Sequence, residues 1–447
     1  MSRVDAFIQN PRKALFVLAL PMVIAMVVQT MYNVVDTAWV GRLGEEAIAA
    51  LTFSFPLFFI LMSLNSGMGV GMGSLISRSL GAKKHPEAEN AALHGVLMSV
   101  GLGLLVLIFG TIFLGDLMRL FGAEGNVLRM SISYMSILLL GCLVMFPLYV
   151  MNSIFSAEGD TKTPMIIQVT ALMANIILDP IFIYSLKLGV AGAAYATVIS
   201  LALGLVLSII FMHRRSTIRL RFREFKFSWR IIREISSIGM PAALTMILIS
   251  MYVVFINGFM NHFGTTFVAA FGIVSRLESV ALLPVIALGL SLMTLVAMFT
   301  GAKRIDLVKG IVSYGMVIGM LFTSVIGIVF FLFAPWLIRI FTPEQHLISA
   351  AVGYLRIDVL TFPLMHLTMT VFRVMQGLGR GMPGLIIQLI RFFGVAVPLA
   401  YLFVFVLGFG YLSIAVAMVL GGLVSSVVGI WWLSATIRAK SIKNSDG

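Results

Sequence analysis

The chain has 447 residues, of which 60% are hydrophobic and only 11% charged, with a mean hydropathy of +1.06. Soluble chains carry roughly 25% charged residues, so a water-facing surface is excluded and the solvent this chain needs is lipid. A single cysteine, Cys142, excludes a disulfide framework or a Cys-based metal site. The net charge of +13 sits in short loops between apolar runs, a pattern of membrane orientation rather than of nucleic-acid binding.

A transmembrane helix needs about 20 apolar residues, and open strands cannot satisfy their backbone in lipid. Twelve windows qualify as helices. The first, near 14–38, follows Arg3, Arg12 and Lys13 and reads as a span rather than a cleaved signal. It carries Pro21, which removes a backbone bond and predicts a bend, then Gln29, Tyr32, Asn33 and Asp36. The second, near 49–77, contains the sequence GMGVGMG from Gly67 to Gly73. It lacks the Gly-Lys-Ser/Thr ending of a phosphate loop, so close helix packing is expected. Spans near 90–115, 128–156, 164–186 and 190–212 complete the first half. They bring Tyr134 and Asn152, then Asn175 and Asp179, then Thr197.

A basic stretch at 213–234 follows, with Arg214, Arg215, Arg219, Arg221, Arg223, Lys226, Arg230 and Arg233 interleaved with aromatics. It reads either as a surface for lipid headgroups or as an interfacial linker helix. Six further spans lie near 235–261, 268–299, 308–333, 347–374, 384–408 and 411–436. Arg276 and Glu278 in the eighth are expected to pair, and Arg356 and Asp358 enter the tenth with His366 deeper. Arg373 and Arg391 approach the cytoplasmic side, where long side chains snorkel, and structural pairing is the expected role of the arginines of this half. Loop charges alternate between a strongly basic and a weakly charged side, which predicts both termini in the cytoplasm.

The chain repeats itself. Pro21 matches Pro241, Tyr32 matches Tyr252, and "LGAKK" at 80–84 matches "TGAKR" at 300–304. "MRLFGAE" at 118–124 matches "IRIFTPE" at 338–344, and "MIIQV" at 165–169 matches "LIIQL" at 385–389, all at an offset of 220. The expected division is an N-lobe at 1–213, a linker at 214–234 and a C-lobe at 235–447. Six spans per repeat give parallel halves that enclose a cavity and rock in alternating access.

A charge inside lipid costs at least about 3 kcal/mol, so an intramembrane acid is a functional candidate. Asp36 has Ile256 as its repeat partner, and Asp179 falls opposite the apolar run Val397 to Leu399. Helix rise puts Asp36 about 9 Å, Asp179 about 10 Å and Thr197 about 12 Å below the outer surface. Asn175 lies one turn from Asp179 on the same face, and Tyr134 enters from the outer side. Two carboxylates in low dielectric cannot both stay charged without a partner, so one protonates or a cation such as Na⁺ binds. Gln29, Tyr32 and Asn33 are assigned to the pocket beside them. Asp358 and His366 are the candidates of the second half. The alternative reading of both acids is headgroup-level residues tied to nearby backbone.

These residues resemble the multidrug and toxic compound extrusion family, and its prokaryotic DinF-like branch in particular. The anchors are "LPMVIAMVVQTMYNVVDTAWVGRLG" at 20–44, "LGAKK" at 80–84, "AEGDTKTP" at 157–164 and "NIILDPIFIYSLKLGVAGAAYAT" at 175–197. The resemblance covers nearly the whole chain. It implies an all-α, V-shaped pair of six-helix lobes in the plasma membrane, not an enzyme, without a cofactor. It implies efflux of hydrophobic, often cationic drugs against H⁺ or Na⁺. It further implies an N-lobe pocket of Asp36, Asn175, Asp179 and Thr197, lined by Tyr134 and Asn152, with a bend at Pro21. Lipid is the expected partner, nucleic acid is not, and a monomer is expected. The competing reading is a flippase for lipid-linked sugars or other lipids. The central spans of the first half lack the arginines that reading requires.

Overall fold

The computed structural model describes residues 3–445, with side chains through Ile442. A short helix, Arg3–Gln9, precedes the spans. These are α1 Pro11–Gly41, α2 Glu45–Gly81, α3 His85–Leu120, α4 Gly125–Ala157, α5 Lys162–Ser185 and α6 Gly189–Arg215. The second set is α7 Trp229–Asn261, α8 in two segments Thr265–Ala281 and Leu283–Gly301, and α9 Ile305–Arg339. It ends with α10 in two segments Gln345–Asp358 and Thr361–Gly377, α11 Met382–Val406 and α12 Leu412–Ile442. Counting the bent α10 as one crossing, the described residues form twelve spans, as the hydropathy pattern predicts. The chain is thus a multi-pass membrane protein.

The repeat persists down to single hydrogen bonds. Lys84 donates its backbone N–H to the carbonyl of Ser79 and Arg304 donates to Phe299, both at 2.9 Å. The residue before each, Lys83 and Lys303, takes a left-handed conformation with φ 58° and 59°. Identical turns 220 residues apart therefore close the second span of each half.

Contacts divide the chain into one unit of Leu20–Ala243 and a second of Met1–Ala19 with Leu244–Gly447. The boundaries fall inside α1 and α7, beside Pro21 and Pro241, and not at 213/214 and 234/235. Helices of 31 and 33 residues are long enough, at 1.5 Å per residue, to change packing partners along their length.

In the first unit, α2 packs on the start of α7. A Cβ at Gly67 or Gly71 would strike the backbone carbonyls of Gly239 and Ile235. The glycine series is a helix-packing seam, as expected. The stretch between α6 and α7 is not a helix: it holds only a short 3₁₀ turn, Phe222–Glu224. Its backbone donors are satisfied by side chains instead. Glu158 Oε1 accepts the N–H groups of Thr217 at 2.9 Å and Ile218 at 2.7 Å. Glu89, Asn90 and His94 accept those of Arg219, Lys226 and Ser228.

In the second unit, a core of Tyr252, Ile256, Phe271, Tyr354, Phe362 and Phe392 joins α7, α8, α10 and α11. Here α8 is interrupted at Leu282, and α10 bends by 49° between Asp358 and Thr361. Pro284 and Pro363 lie just after the two breaks, each removing a helical N–H.

Candidate cation and substrate site

In the first unit, α5 supplies Asn175 and Asp179 four residues apart, so both point to one face. They are 2% and 0% exposed, and Asn175 Nδ2 donates to Asp179 Oδ1 at 3.1 Å. Pro180 follows at once. It has no N–H to give the carbonyl of Ile176, and the helix continues as a π-helical turn over Ile181–Ser185. Such wide turns concentrate at functional sites.

Asp36 comes from α1, and its carboxyl lies within hydrogen-bonding reach of that of Asp179. Tyr32, one turn earlier, lies near the side chain of Thr197 and stands within electrostatic range of both acids, as does Tyr134 of α4. The Thr197 hydroxyl donates to the carbonyl of Ala193 at 3.0 Å, which leaves its oxygen free to accept. Asp36, Asn175, Asp179, Thr197, Tyr32 and Tyr134 are therefore brought together, although they come from four spans. Asp179 Oδ2 and Asn175 Oδ1 are buried without a hydrogen-bond partner among the described residues. Two adjacent carboxyls with a free oxygen can hold a proton between them or a small cation, but not two bare charges.

A chain of amides continues along α1. Gln168 Nε2 donates to Gln29 Oε1 at 3.1 Å, and Gln29 Nε2 donates to Asn33 Oδ1 at 3.1 Å. Asn152 on α4 has a buried amide oxygen without a hydrogen-bond partner among the described residues. Gln168 is absent from the sequence candidates. Its signal was the shared "IIQ" of the repeat, where Gln388 is the counterpart. Pro21 lies within α1, which runs unbroken from Pro11 to Gly41. At the other end of α1 the Tyr184 hydroxyl donates to the carbonyl of Trp39 at 2.5 Å, and the Arg42 guanidinium lies 5.0 Å from the Trp39 ring.

The second unit departs from expectation in two ways. Arg276 and Glu278 do not pair, because residues two apart on a helix face different directions. No ion pair joins them among the described residues, and Arg276 is exposed. The Arg356 guanidinium likewise turns outward, 5.4 Å from the Phe331 ring, while Asp358 is 1% exposed. Arg373 and Arg391 do not snorkel: they are 8% and 5% exposed. Arg373 donates to Gln376 Oε1 at 3.1 Å, and Arg391 sits in range of Glu278 and Asp358. Both find polar partners inside the bundle, as the pairing reading expects, which removes the drive to reach water. His366 stands apart from Asp358, its Nε2 at 3.1 Å from the carbonyl of Gly315 on α9 and its ring packed on Gly319. Among the described residues no group of three His, Cys, Asp or Glu side chains could hold a metal ion.

Comparison with known proteins agrees with this architecture. The family model described as MatE matches residues 21–181 and again 241–402, the two copies of the repeat. The chain is 29% identical over 393 residues to "Probable multidrug resistance protein YoeA" of Bacillus subtilis (strain 168), covering 85% of this chain and 84% of that one. It is 28% identical over 384 residues to "Multidrug export protein MepA" of Staphylococcus aureus (strain NCTC 8325 / PS 47), covering 85% and 84%. Among solved structures, "Crystal structure of MATE in the bent conformation" superposes with a TM-score of 0.94 at 30% identity, covering 98% and 97%. A MOP superfamily transporter from Pyrococcus furiosus superposes with a TM-score of 0.91 at 30% identity, covering 96% and 97%. The chain belongs to the MatE family, the multidrug and toxic compound extrusion transporters.

Proposed function

We propose that the chain is a cation-coupled multidrug antiporter whose driving ion, H⁺ or Na⁺, binds at Asp36 and Asp179. The observation that carries this reading is the pair of carboxyls, from two different helices, within hydrogen-bonding reach in a largely buried setting. Neutralising them removes a repulsion between α1 and α5, so the ion is coupled to how those helices pack. Asn175 and Thr197 offer the neutral oxygens that Na⁺ would add, while the acids alone suffice for a proton. Tyr134, Asn152, Gln29, Tyr32 and Asn33 form the substrate-facing support, and Pro21 is the point at which α1 yields. Relatives named for multidrug export support hydrophobic or cationic drugs as the cargo. The protein acts as a carrier, without a cofactor of its own, and works as a monomer.

The test is dye export from proteoliposomes with H⁺ and Na⁺ gradients imposed separately. Ethidium export driven by at least one of them is expected. Export indifferent to both gradients would refute ion coupling.

A further inference from the structure

The stretch joining α6 to α7 carries a charge that ion-coupled export does not account for. Residues 213–234 hold eight Lys and Arg residues against two acids. Orientation in the membrane needs far fewer. The loop after α2 has Lys83 and Lys84, and the loop after α8 has Lys303 and Arg304.

The backbone of this stretch is fixed in place. Glu158, just after α4, accepts the hydroxyls of Ser216 and Thr217 and the N–H groups of Thr217 and Ile218, all through Oε1. Asn90 of α3 holds Lys226 by its N–H and its carbonyl, at 3.2 and 2.9 Å. His94, one turn further along α3, accepts the N–H of Ser228 at 3.0 Å and packs its ring on Phe225, with centroids 4.7 Å apart. Ile218 is buried beneath. All these partners belong to the first unit. The stretch is therefore a strap laid across α3 and the end of α4.

The acids beside the strap hold its backbone rather than its cations. Glu158 and Glu89 bind N–H groups, Glu224 pairs with Arg221 at 2.9 Å, and Glu234 pairs with Arg78 at 2.8 Å. Arg214, Arg219, Arg223, Lys226, Arg230 and Arg233 are exposed, and none has an ion pair among the described residues. Between them Phe222, Phe227 and Trp229 are 60%, 60% and 73% exposed. Rings beside cations suit the headgroup level of a bilayer, where one side is apolar and the other wet. The strap runs from the end of α6 at Arg215 to the start of α7 at Trp229, between two spans that leave the membrane on the same side.

We propose that the strap is a docking surface for the anionic phospholipid headgroups of the leaflet it lies on. Guanidinium groups meet phosphate oxygens through paired N–H bonds, and the rings enter the boundary with the acyl chains. A soluble polyanion would use the cations and leave the three rings in water. Because α3 and α4 already hold the backbone, little of the strap has to be ordered when lipid binds. The surface is separate from Asp36 and Asp179 and does not depend on their role.

The test reads lipid retained by the full-length protein in neutral detergent, by native mass spectrometry, with size exclusion verifying folding. Phosphatidylglycerol and phosphatidylcholine with the same acyl chains are compared, and the wild type is expected to retain the first in preference. Arg219→Gln/Arg223→Gln/Lys226→Gln should lower phosphatidylglycerol retention at least about tenfold and leave phosphatidylcholine unchanged. Lys309→Gln/Arg380→Gln/Arg438→Gln removes the same charge from exposed positions elsewhere and should behave as wild type. Phe222→Ser keeps every charge and should weaken retention about threefold, so it reads the site even if the triple variant fails to fold. Glycerol phosphate, which has the headgroup phosphate without acyl chains, and an oligonucleotide should each leave the lipid bound. Wild-type retention by a folded strap variant would overturn the proposal, as would an equal loss in the control, equal retention of both lipids by the wild type, or displacement by either soluble anion at equal concentration.

Discussion

The two halves share a backbone and differ in charge. Tyr32 and Tyr134 in one, Tyr252 and Tyr354 in the other, occupy equivalent positions. Between the first pair lie Asp36 and Asp179, whose counterparts Ile256 and Leu399 are apolar. Near the second pair lie Glu278, Asp358 and Arg391, whose counterparts Phe58, Leu138 and Ala171 are apolar. Backbone geometry was duplicated because it packs helices. Charge was not, because a buried charge persists only where its own surroundings offset it. On the reading proposed above a mobile ion offsets the acids of the first unit, while in the second Arg391 lies in electrostatic range of both acids.

The comparison can be broken first at the packing seam. Gly67 and Gly71 touch backbone, while their counterparts Ala287 and Ser291 carry side chains. Gly71→Leu should therefore destabilise by about 3 kcal/mol or more, seen as loss of monodisperse protein in size exclusion. Ser291→Leu, at a position that already accommodates a side chain, should be the milder change. Equal damage would mean the seam is not specific to one half.

Placing an acid in the apolar copy is the next test. Ile256 is 0% exposed in a core of Tyr252, Phe271 and Phe392, so Ile256→Asp puts an acid where apolar side chains pack. It should cost about 3 kcal/mol in thermal stability and should not restore export to an Asp36→Asn protein. Restoration would show that the frame alone makes a coupling site.

A smaller effect is expected at Gln168. Gln168→Ala removes one neutral hydrogen bond to Gln29, about 1 kcal/mol, and should raise the KM for dye about fivefold. An unchanged KM would take Gln168 and Gln29 out of the substrate-facing wall.

The smallest effect is at the exposed first turn of α9. The Arg304 guanidinium, hydrogen-bonded to Asp306, holds that carboxyl below its usual range. The sign follows: the stabilisation is complete above the unfolded carboxylate range and is lost as pH falls through the lowered value. The pair is exposed and screened, so Asp306→Asn should change stability by less than about 0.5 kcal/mol. The loss should shrink further in acid; a larger loss in acid than at neutral pH would contradict this.

Much of this was legible in the sequence. Hydropathy located the spans, because lipid admits little but helices of the right length. The repeat located equivalent positions, and helix rise put Asp36, Asn175, Asp179 and Thr197 in one layer. What stayed hidden depends on rotation about the helix axis and on irregular turns. Spacing of two residues made Arg276 and Glu278 look like a pair, while their directions separate them. The partners of Arg391 were hidden because the acids in range of it lie 33 and 113 residues away in the chain. The bend in α10 escaped because Asp358 to Thr361 is as apolar in its flanks as an ordinary span. The non-helical stretch before α7 escaped because its backbone bonds go to Glu158, Glu89, Asn90 and His94, which no local pattern reveals.

The central claim is that Asp36 and Asp179 convert an ion gradient into export. Ethidium export should be compared between the wild-type protein and Asp36→Asn/Asp179→Asn in proteoliposomes of equal protein content, under the gradient that drives the wild type. The account predicts that the double variant inserts and binds dye but exports no faster than passive leak. Gradient-driven export at the wild-type rate would contradict it.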